Sequence, residues 1–415
     1  MLTSTPASAP NLGRGYWSLL VGSSISSLAD GSFKVALPLI ARATTDSPGL
    51  IAGVTFAATL PWLLFSLPVG ALVDRGDRRR IMLVANAGRT VLLALFGILC
   101  GCHLESIPML YVVAFVAGIA EVFYDTSARA IVPMIVPRPL LPRANTFQQV
   151  SDQTANQFAG PALGGLLVGI GVAVSSFTSS GIWLLAVGSL VMLRGSFRTG
   201  RRSETTLRVD VVIGIRYLLG SRVLRSITAT GGVTNFAVSG TVAVFVVYAV
   251  GPGSALHLSS AEYGLLLTVS AAGSITGAFL VGRIRHLFGE RGLMTSNIVT
   301  QAIQLAIPIV THNLFVVAGG FLVGGVGIAL WNVGTVTIRQ RLTPHDLLGR
   351  VLSAHRLVSW GCLSLGALAG GLLGEIMPIR TVFLIMVTIT LTALLATRSW
   401  SATAIAEEEH REVEQ

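Results

Sequence analysis

A single lysine, Lys34, stands in a chain whose other 28 basic residues are all arginine (29 − 1 = 28). Acidic residues number only 19, and charged residues of every kind make up 12% of the 415 positions. A soluble enzyme needs far more charge than that to cover its surface, so this class is excluded. The three cysteines are too few for a disulfide framework. Cys100-x-Cys102-His103 offers two thiols and one imidazole, an incomplete set for a tetrahedral metal site. No G-x-S-x-G, H-E-x-x-H or phosphate-binding loop occurs, and the seven histidines are scattered, several at loop positions such as His103, His286 and His312. Gly324-Gly325-Val326-Gly327 lies inside an apolar run and reads as helix packing, so no nucleotide site is expected. The expectation is a protein that is no enzyme, holds no metal or organic cofactor, and is not itself driven by ATP.

What the chain has in abundance is apolar sequence: 52% hydrophobic residues and a mean hydropathy of +0.73. Only helices and closed barrels satisfy their backbone polar groups within lipid. Barrel strands alternate polar and apolar residues, and these runs do not. The spacing predicts an all-α polytopic membrane protein with spans near 17–40, 50–73, 81–102, 108–131, 145–170 and 172–194. A second set is predicted near 226–250, 261–283, 293–311, 314–338, 352–374 and 379–398, twelve in all. The first run is long enough to stay as a span, and Arg14 is the only charge before it, so no cleavable signal is expected.

The net charge of +10 does not point to nucleic acid, because the arginines cluster in short loops between apolar runs. If both termini are cytoplasmic, nearly every loop arginine falls inside, and only Arg42 and Arg380 sit near the outer face. The organisation expected is a polar tail (1–15), a six-helix half (16–194), a cytoplasmic connection (195–225), a second six-helix half (226–398) and a solvated acidic tail (399–415). Within the connection, 209–219 is patterned as an amphipathic helix on the inner membrane surface.

The halves repeat. Gly70-Ala71 recurs as Gly277-Ala278, Asp125 aligns with Asn332, and Leu140-Leu141-x-Arg143 recurs as Leu347-Leu348-x-Arg350. Each pair is 207 residues apart (277−70, 332−125, 350−143). Gly164-Gly165 recurs as Gly370-Gly371, 206 apart. Parallel repeats of this kind place a substrate site between the halves near the bilayer midplane.

Charges inside spans are expensive and are functional candidates by default. Asp30 and Lys34 lie one turn apart on the first span, and a lysine can lose its proton where an arginine cannot. They read either as a self-neutralised pair or as titrating, substrate-facing groups. Glu121 and Asp125 share a face of the fourth span, where two close carboxylates suit a proton that binds and leaves. Counting inward at about 1.5 Å per residue puts Arg89 on the third span at the depth of Asp125, with Asp152 of the fifth comparable. An Arg89–Asp125 pair, joined by Asp152, is therefore expected, with Glu121 deeper. The second half has no acidic residue deep in a span, since Glu262 and Glu375 sit at its outer margin. Polar and aromatic candidates for a cavity lining are Tyr124, Gln153, Gln157, Asn235, Phe236, Trp331 and Asn332, a set suited to an amphipathic organic molecule.

The stretch Gly70-Ala-Leu-Val-Asp74-Arg75-Gly-Asp-Arg78-Arg79-Arg80 resembles the signature loop between the second and third helices of major facilitator superfamily transporters. Gly70, Leu72, Asp74, Arg75, Arg78 and Arg79 fall on its positions, Asp77 replaces a frequent second glycine, and Gly76 comes one place early. The form is most similar to the efflux branch that holds the enterobactin exporter and macrolide-efflux proteins. Gly160-Pro161-Ala-Leu-Gly164-Gly165 resembles the core of the superfamily's antiporter motif, without its upstream glycines. The resemblance implies a latch in which Gly70 lets the second helix approach the other half and Asp74, with Arg75 and Arg78, faces the start of the eleventh helix. Arg350 and Arg356 are the candidate partners there. It further implies alternating-access export of drug-like or siderophore-like molecules in exchange for protons, with multidrug resistance as the expected phenotype. The expected partners are a small-molecule substrate, protons and membrane lipid, with no nucleic acid and no obligatory protein, in the cell inner membrane. A proton-coupled nutrient importer and a non-transporting receptor of the same fold remain open alternatives.

Overall fold

The computed structural model describes residues 12–193, 195, 197–198, 207–344, 347–400 and 408. The first eleven residues, most of the acidic tail and part of the 195–225 connection, including Arg201 and Arg202, lie outside them. Among the described residues the chain is almost wholly helical. In order come α1 (Gly13–Thr44), α2 (Pro48–Arg75), α3 (Arg78–Gly101), α4 (Ile107–Ile135), α5 (Leu141–Asp152), α6 (Gly160–Ile170) and α7 (Val172–Met192). They continue as α8 (Leu207–Gly220), α9 (Arg222–Ala249), α10 (Ser260–Val310), α11 (Leu314–Arg341), α12 (Leu348–Ile376) and α13 (Ile379–Thr392).

These thirteen helices make twelve spans. At 51 residues α10 is more than twice the roughly 20 needed to cross a bilayer. Gly289 breaks it with φ +66°, where a side chain would be strained, so α10 supplies the eighth and ninth spans. The fifth span is composite. Between α5 and α6 the chain runs through a π-helical segment, Gln153–Ala159, which ends just before Pro161 in the first turn of α6. The twelfth span closes in a 3-10 stretch, Ala393–Trp400. The connecting helix α8 covers the amphipathic segment expected at 209–219.

Local signals explain the helix starts. Ser47 caps α2 through Leu50 N–H with Pro48 in the first turn, and Asp77 accepts from the N–H groups of Arg79 and Arg80 to start α3. Ser259 and Glu262 form a reciprocal capping box on α10. The acidic tail is not wholly solvated, contrary to its composition. Glu408 accepts from the N–H of Arg222 at 2.8 Å and of Val223 at 3.2 Å, with Ser221 Oγ beside it, at the start of α9.

Glycines set how the helices meet, and they do so twice. An added Cβ on Gly160 would come within 2.7 Å of Gly31 Cα on α1, and one on Gly164 would strike the Ser32 carbonyl. Their repeat mates behave identically on α9: Gly366 abuts Phe236 and Gly370 abuts Gly240. The adjoining glycines face the other half. A Cβ on Gly165 would meet Gly264 Cα of α10 at 2.9 Å, and one on Gly371 would meet Ala52 Cβ of α2 at 2.5 Å. Small residues thus bring backbones together within each half and between halves, as lipid-embedded helices require.

The two halves meet unevenly along their length. At the end opposite the arginine clusters, α6 packs on α10 and the start of α2 packs on the end of α12. Glu375 of α12 accepts from Gly49 N at 2.8 Å and also binds Ser47 Oγ, so it caps α2 from across the interface. Trp62 and Trp360 meet edge-on at 4.5 Å further along the same helix pair. At the basic end α5 packs on α1 and α4 of its own half.

Candidate functional site

The charges of the first half are assembled from α1, α3 and α4, and the pairing differs from the one expected. Arg89 pairs with Asp30 at 3.0 Å, not with Asp125, and both side chains are buried. Lys34 pairs with Glu121 at 2.8 Å, not with Asp30. Asp125 turns back along its own helix to Arg129 at 3.6 Å, and Asp152 accepts from Ser27 Oγ of α1 at 2.9 Å. The reason is geometric: Asp30 and Lys34 share a face of α1, but each is nearer to a charge on a neighbouring helix than to the other.

The two ion pairs have different settings. Arg89 lies between the rings of Trp183 (5.2 Å) and Tyr124 (5.9 Å) and also reaches Asn86 Oδ1 at 3.5 Å. Buried aromatic faces strengthen the hold on a guanidinium. This pair is locked between α1, α3 and α7. The Lys34 side chain is 45% exposed, so its ammonium stands in open space while Glu121, at 14%, is mostly covered. Net charge over the four groups is zero, which lets them sit in a membrane-embedded core.

That open space lies between the halves. A recess of about 230 Å³ is lined by Gly31, Lys34, Asn156, Gln157 and Pro161 from the first half and by Leu267, Ser270 and Ala271 of α10 from the second. Its floor is the π-helical segment, which packs on α10 through a hydrogen bond from Thr268 Oγ1 to Phe158 O at 3.0 Å. Asn156 and Gln157 thus reach the cavity from backbone whose hydrogen bonds are already locally rearranged.

The remaining cavity candidates divide. Gln153 opens the π-helical segment and Asn332 is exposed. Tyr124 is buried beside Arg89, its hydroxyl 3.5 Å from Ser23 Oγ. Asn235 donates to Ser359 O at 2.8 Å, and the Phe236 backbone underlies Gly366. Trp331 packs edge-on against Trp400 at 5.9 Å in the second half's core. These four are therefore packing residues in this conformation. Sequence reasoning missed Asn86, Trp183, Trp62 and Trp360. Trp183 carried no signal beyond being an aromatic in a span, and Glu375 was noted only as marginal.

The signature loop fastens the first half to itself. Asp74 accepts from Arg78 Nη2 at 3.3 Å, and Arg78 Nη1 approaches Ala130 O at 3.4 Å and Met134 Sδ at 2.7 Å on α4. Arg79 donates to the last carbonyls of α7, Leu190 at 3.1 Å and Val191 at 3.0 Å. Arg75 is exposed, and the Arg350 carbonyl is pressed against Gly214 of α8. Gly70 does not bring α2 close to another helix here, since a Cβ on it would have nothing within 4 Å.

Known proteins resemble this one along most of its length. An uncharacterized MFS-type transporter, y4rN, of Sinorhizobium fredii is 28% identical over 369 residues, 86% of this chain and 88% of the relative. Macrolide efflux protein A of Streptococcus pyogenes is 21% identical over 395 residues (89% and 92%), and the enterobactin exporter EntS of Citrobacter koseri 25% over 342 (79% and 77%). Among solved structures, a bacterial homologue of the iron transporter ferroportin in an inward-facing state superposes with a TM-score of 0.71 at 16% identity, covering 94% of this chain and 99% of that one. The nucleoside transporter NupG gives 0.69 at 11%, with 93% and 99% covered. The profile of one family, described as transmembrane secretion effectors, matches residues 7–413, and with the two six-helix halves it shows that this chain belongs to that family of major facilitator superfamily transporters.

Proposed function

We propose that this protein is a secondary active exporter of small amphipathic organic molecules, working by alternating access and exchanging substrate for protons. The observation that carries the reading is the Lys34–Glu121 pair, formed between two helices, whose lysine lines the recess between the halves. Protonating Glu121 releases the Lys34 ammonium, and deprotonating it recaptures the ammonium. A cationic or hydrogen-bonding substrate that takes Glu121 from Lys34 therefore competes with a proton at one site. Asp30 and Arg89 behind it hold α1 and α3 in place while that exchange occurs. The efflux-type relatives, macrolide efflux protein A and EntS, support the export direction and a drug-like or siderophore-like substrate.

With the arginine-rich loops placed in the cytoplasm by the positive-inside rule, the contacts of α6 on α10 and of α2 on α12 close the halves toward the outside. This is the loading conformation of an exporter, in an inner membrane with both termini cytoplasmic. The signature loop then acts in the other state, where α2 closes on α12 at the cytoplasmic end and Gly70 gains its neighbour. The test is dye efflux in inverted vesicles under an imposed pH gradient, comparing wild type with Glu121→Gln, Asp125→Asn and Asp30→Asn. Loss of gradient-driven transport in Glu121→Gln, with Asp125→Asn active and both folded, is the expected result. Full activity of Glu121→Gln removes the proton path from this pair. Gradient-driven movement in the opposite sense would instead make the protein an importer.

A further inference from the structure

A second hollow lies away from the interface between the halves. It is a groove of about 570 Å³ between α3 and α4, whose lining comes from the first half and, beyond it, Arg198. Its walls include Val84, Leu92, Val116 and Ile119, and Val84 is 65% exposed. Gly88 leaves a gap between them, since a Cβ there would meet nothing within 4 Å. Arg80 and Arg198, both exposed, stand at the basic-end mouth. Asp77 also lines the mouth, but its carboxylate is turned to the first N–H groups of α3. At the deep end Arg89 gives its charge to Asp30, which leaves the interior apolar.

We propose that this groove binds an anionic phospholipid of the cytoplasmic leaflet, its phosphate held between Arg80 and Arg198 and one acyl chain laid over Gly88. The flank faces lipid in any membrane orientation of the bundle, so a hydrocarbon chain fills what would otherwise be a void among apolar side chains. From Arg80 to Leu92 is twelve residues, or about 18 Å of helix, close to the roughly 15 Å of hydrocarbon in one leaflet. The two guanidiniums stand at the one end of that path that lies at headgroup level. Basic pockets between helices on the cytoplasmic side select anionic headgroups in this way, by about a factor of five per arginine.

The experiment uses the full chain in phosphatidylcholine vesicles doped with phosphatidylglycerol that carries a photoreactive diazirine in its acyl chain. Expected are adducts on peptides of α3 and α4, displaced by unlabelled phosphatidylglycerol at lower concentration than by phosphatidylethanolamine. Arg80→Gln and Arg198→Gln should each raise the concentration needed about fivefold, and Gly88→Leu should remove the adducts for every headgroup. Thermal unfolding confirms that each variant is folded, and any variant that is not is replaced by Gly88→Val or Arg80→Ala. Adducts spread evenly over all lipid-facing helices, or retained headgroup preference in the double arginine variant, overturn the proposal. So does displacement by an exported dye but not by phospholipid, which would give the groove to the transported molecule.

Discussion

Replacing Gly165 by alanine adds one methyl group, and the structure says where it goes. The new Cβ would strike the Ser260 carbonyl and lie 2.9 Å from Gly264 Cα, both backbone atoms of α10 in the opposite half. Backbone in a packed helix pair cannot step aside, and overpacking of this kind costs about 1–3 kcal/mol. The cost falls only on the conformation in which α6 and α10 touch. At RT of about 0.59 kcal/mol it moves the ratio of closed to open outer ends by roughly 5- to 150-fold toward open. Gly164→Ala is the control. Its Cβ would strike Ser32 of α1 in the same half, a contact kept in both conformations, so it should lower stability and leave the ratio alone. Spin labels on Leu104→Cys and Pro252→Cys, with Cys100, Cys102 and Cys362 replaced, report the separation of the two halves at that end by pulsed electron paramagnetic resonance. The distance distribution should lengthen in Gly165→Ala and in its repeat mate Gly371→Ala, and stay as wild type in Gly164→Ala. Equal shifts in all three, or none in Gly165→Ala, would falsify the assignment of these adjacent glycines to different interfaces.

Other outcomes follow from the charges. Arg89→Met strands Asp30 in a buried site and should cost about 3–5 kcal/mol, read as a large loss of thermal stability or of folded yield. Lys34→Gln breaks a pair whose lysine is half in the open and should cost under about 1 kcal/mol, so it should fold normally and fail, if at all, in transport. Glu375→Gln weakens the cap that α12 places on α2; at an exposed site this is worth about 0.2–1 kcal/mol, enough to bias the same spin-label distances toward open by at most about fivefold. Glu408→Ala frees two N–H groups of α9 and should lower stability by less than about 1 kcal/mol without altering the conformational ratio.

The twelve spans were legible because lipid leaves little choice: a run of apolar residues must be helical, and its length and flanking arginines set where it stops. The repeat was legible for the same reason, since glycines at backbone contacts recur wherever the contacts do. The charge pairs were not. Helical periodicity shows that Asp30 and Lys34, or Glu121 and Asp125, share a face, but pairing across helices depends on the rotation of each helix about its axis. Arg89 and Asp125 stand at similar depth and yet point to different neighbours, because α3 turns Arg89 toward α1 and Trp183. The acidic tail illustrates a different limit, since a single carboxylate, Glu408, docks on a helix start that composition could not single out.

The π-helical segment in the fifth span gives physical meaning to a one-residue discrepancy between the halves. Arg143 and Arg350 are 207 residues apart, whereas Gly164 and Gly370 are 206 apart, so the first half carries one residue more between those landmarks (164−143 = 21, 370−350 = 20). The extra residue falls where Gln153–Ala159 widens, while α12 runs through the matching stretch as unbroken α-helix. A π-helical turn holds about one residue more than an α turn, so the segment takes up the insertion and the helix on either side keeps its phase. That compensation lets α6 keep its glycines on α1 and α10 while α5 still presents Ser151 and Asp152 to Ser24 and Ser27 of α1. The two halves are thus a duplicated frame in which a single insertion widens one helix without turning it, and the recess beside Lys34 is lined by Asn156 and Gln157 of that widened turn.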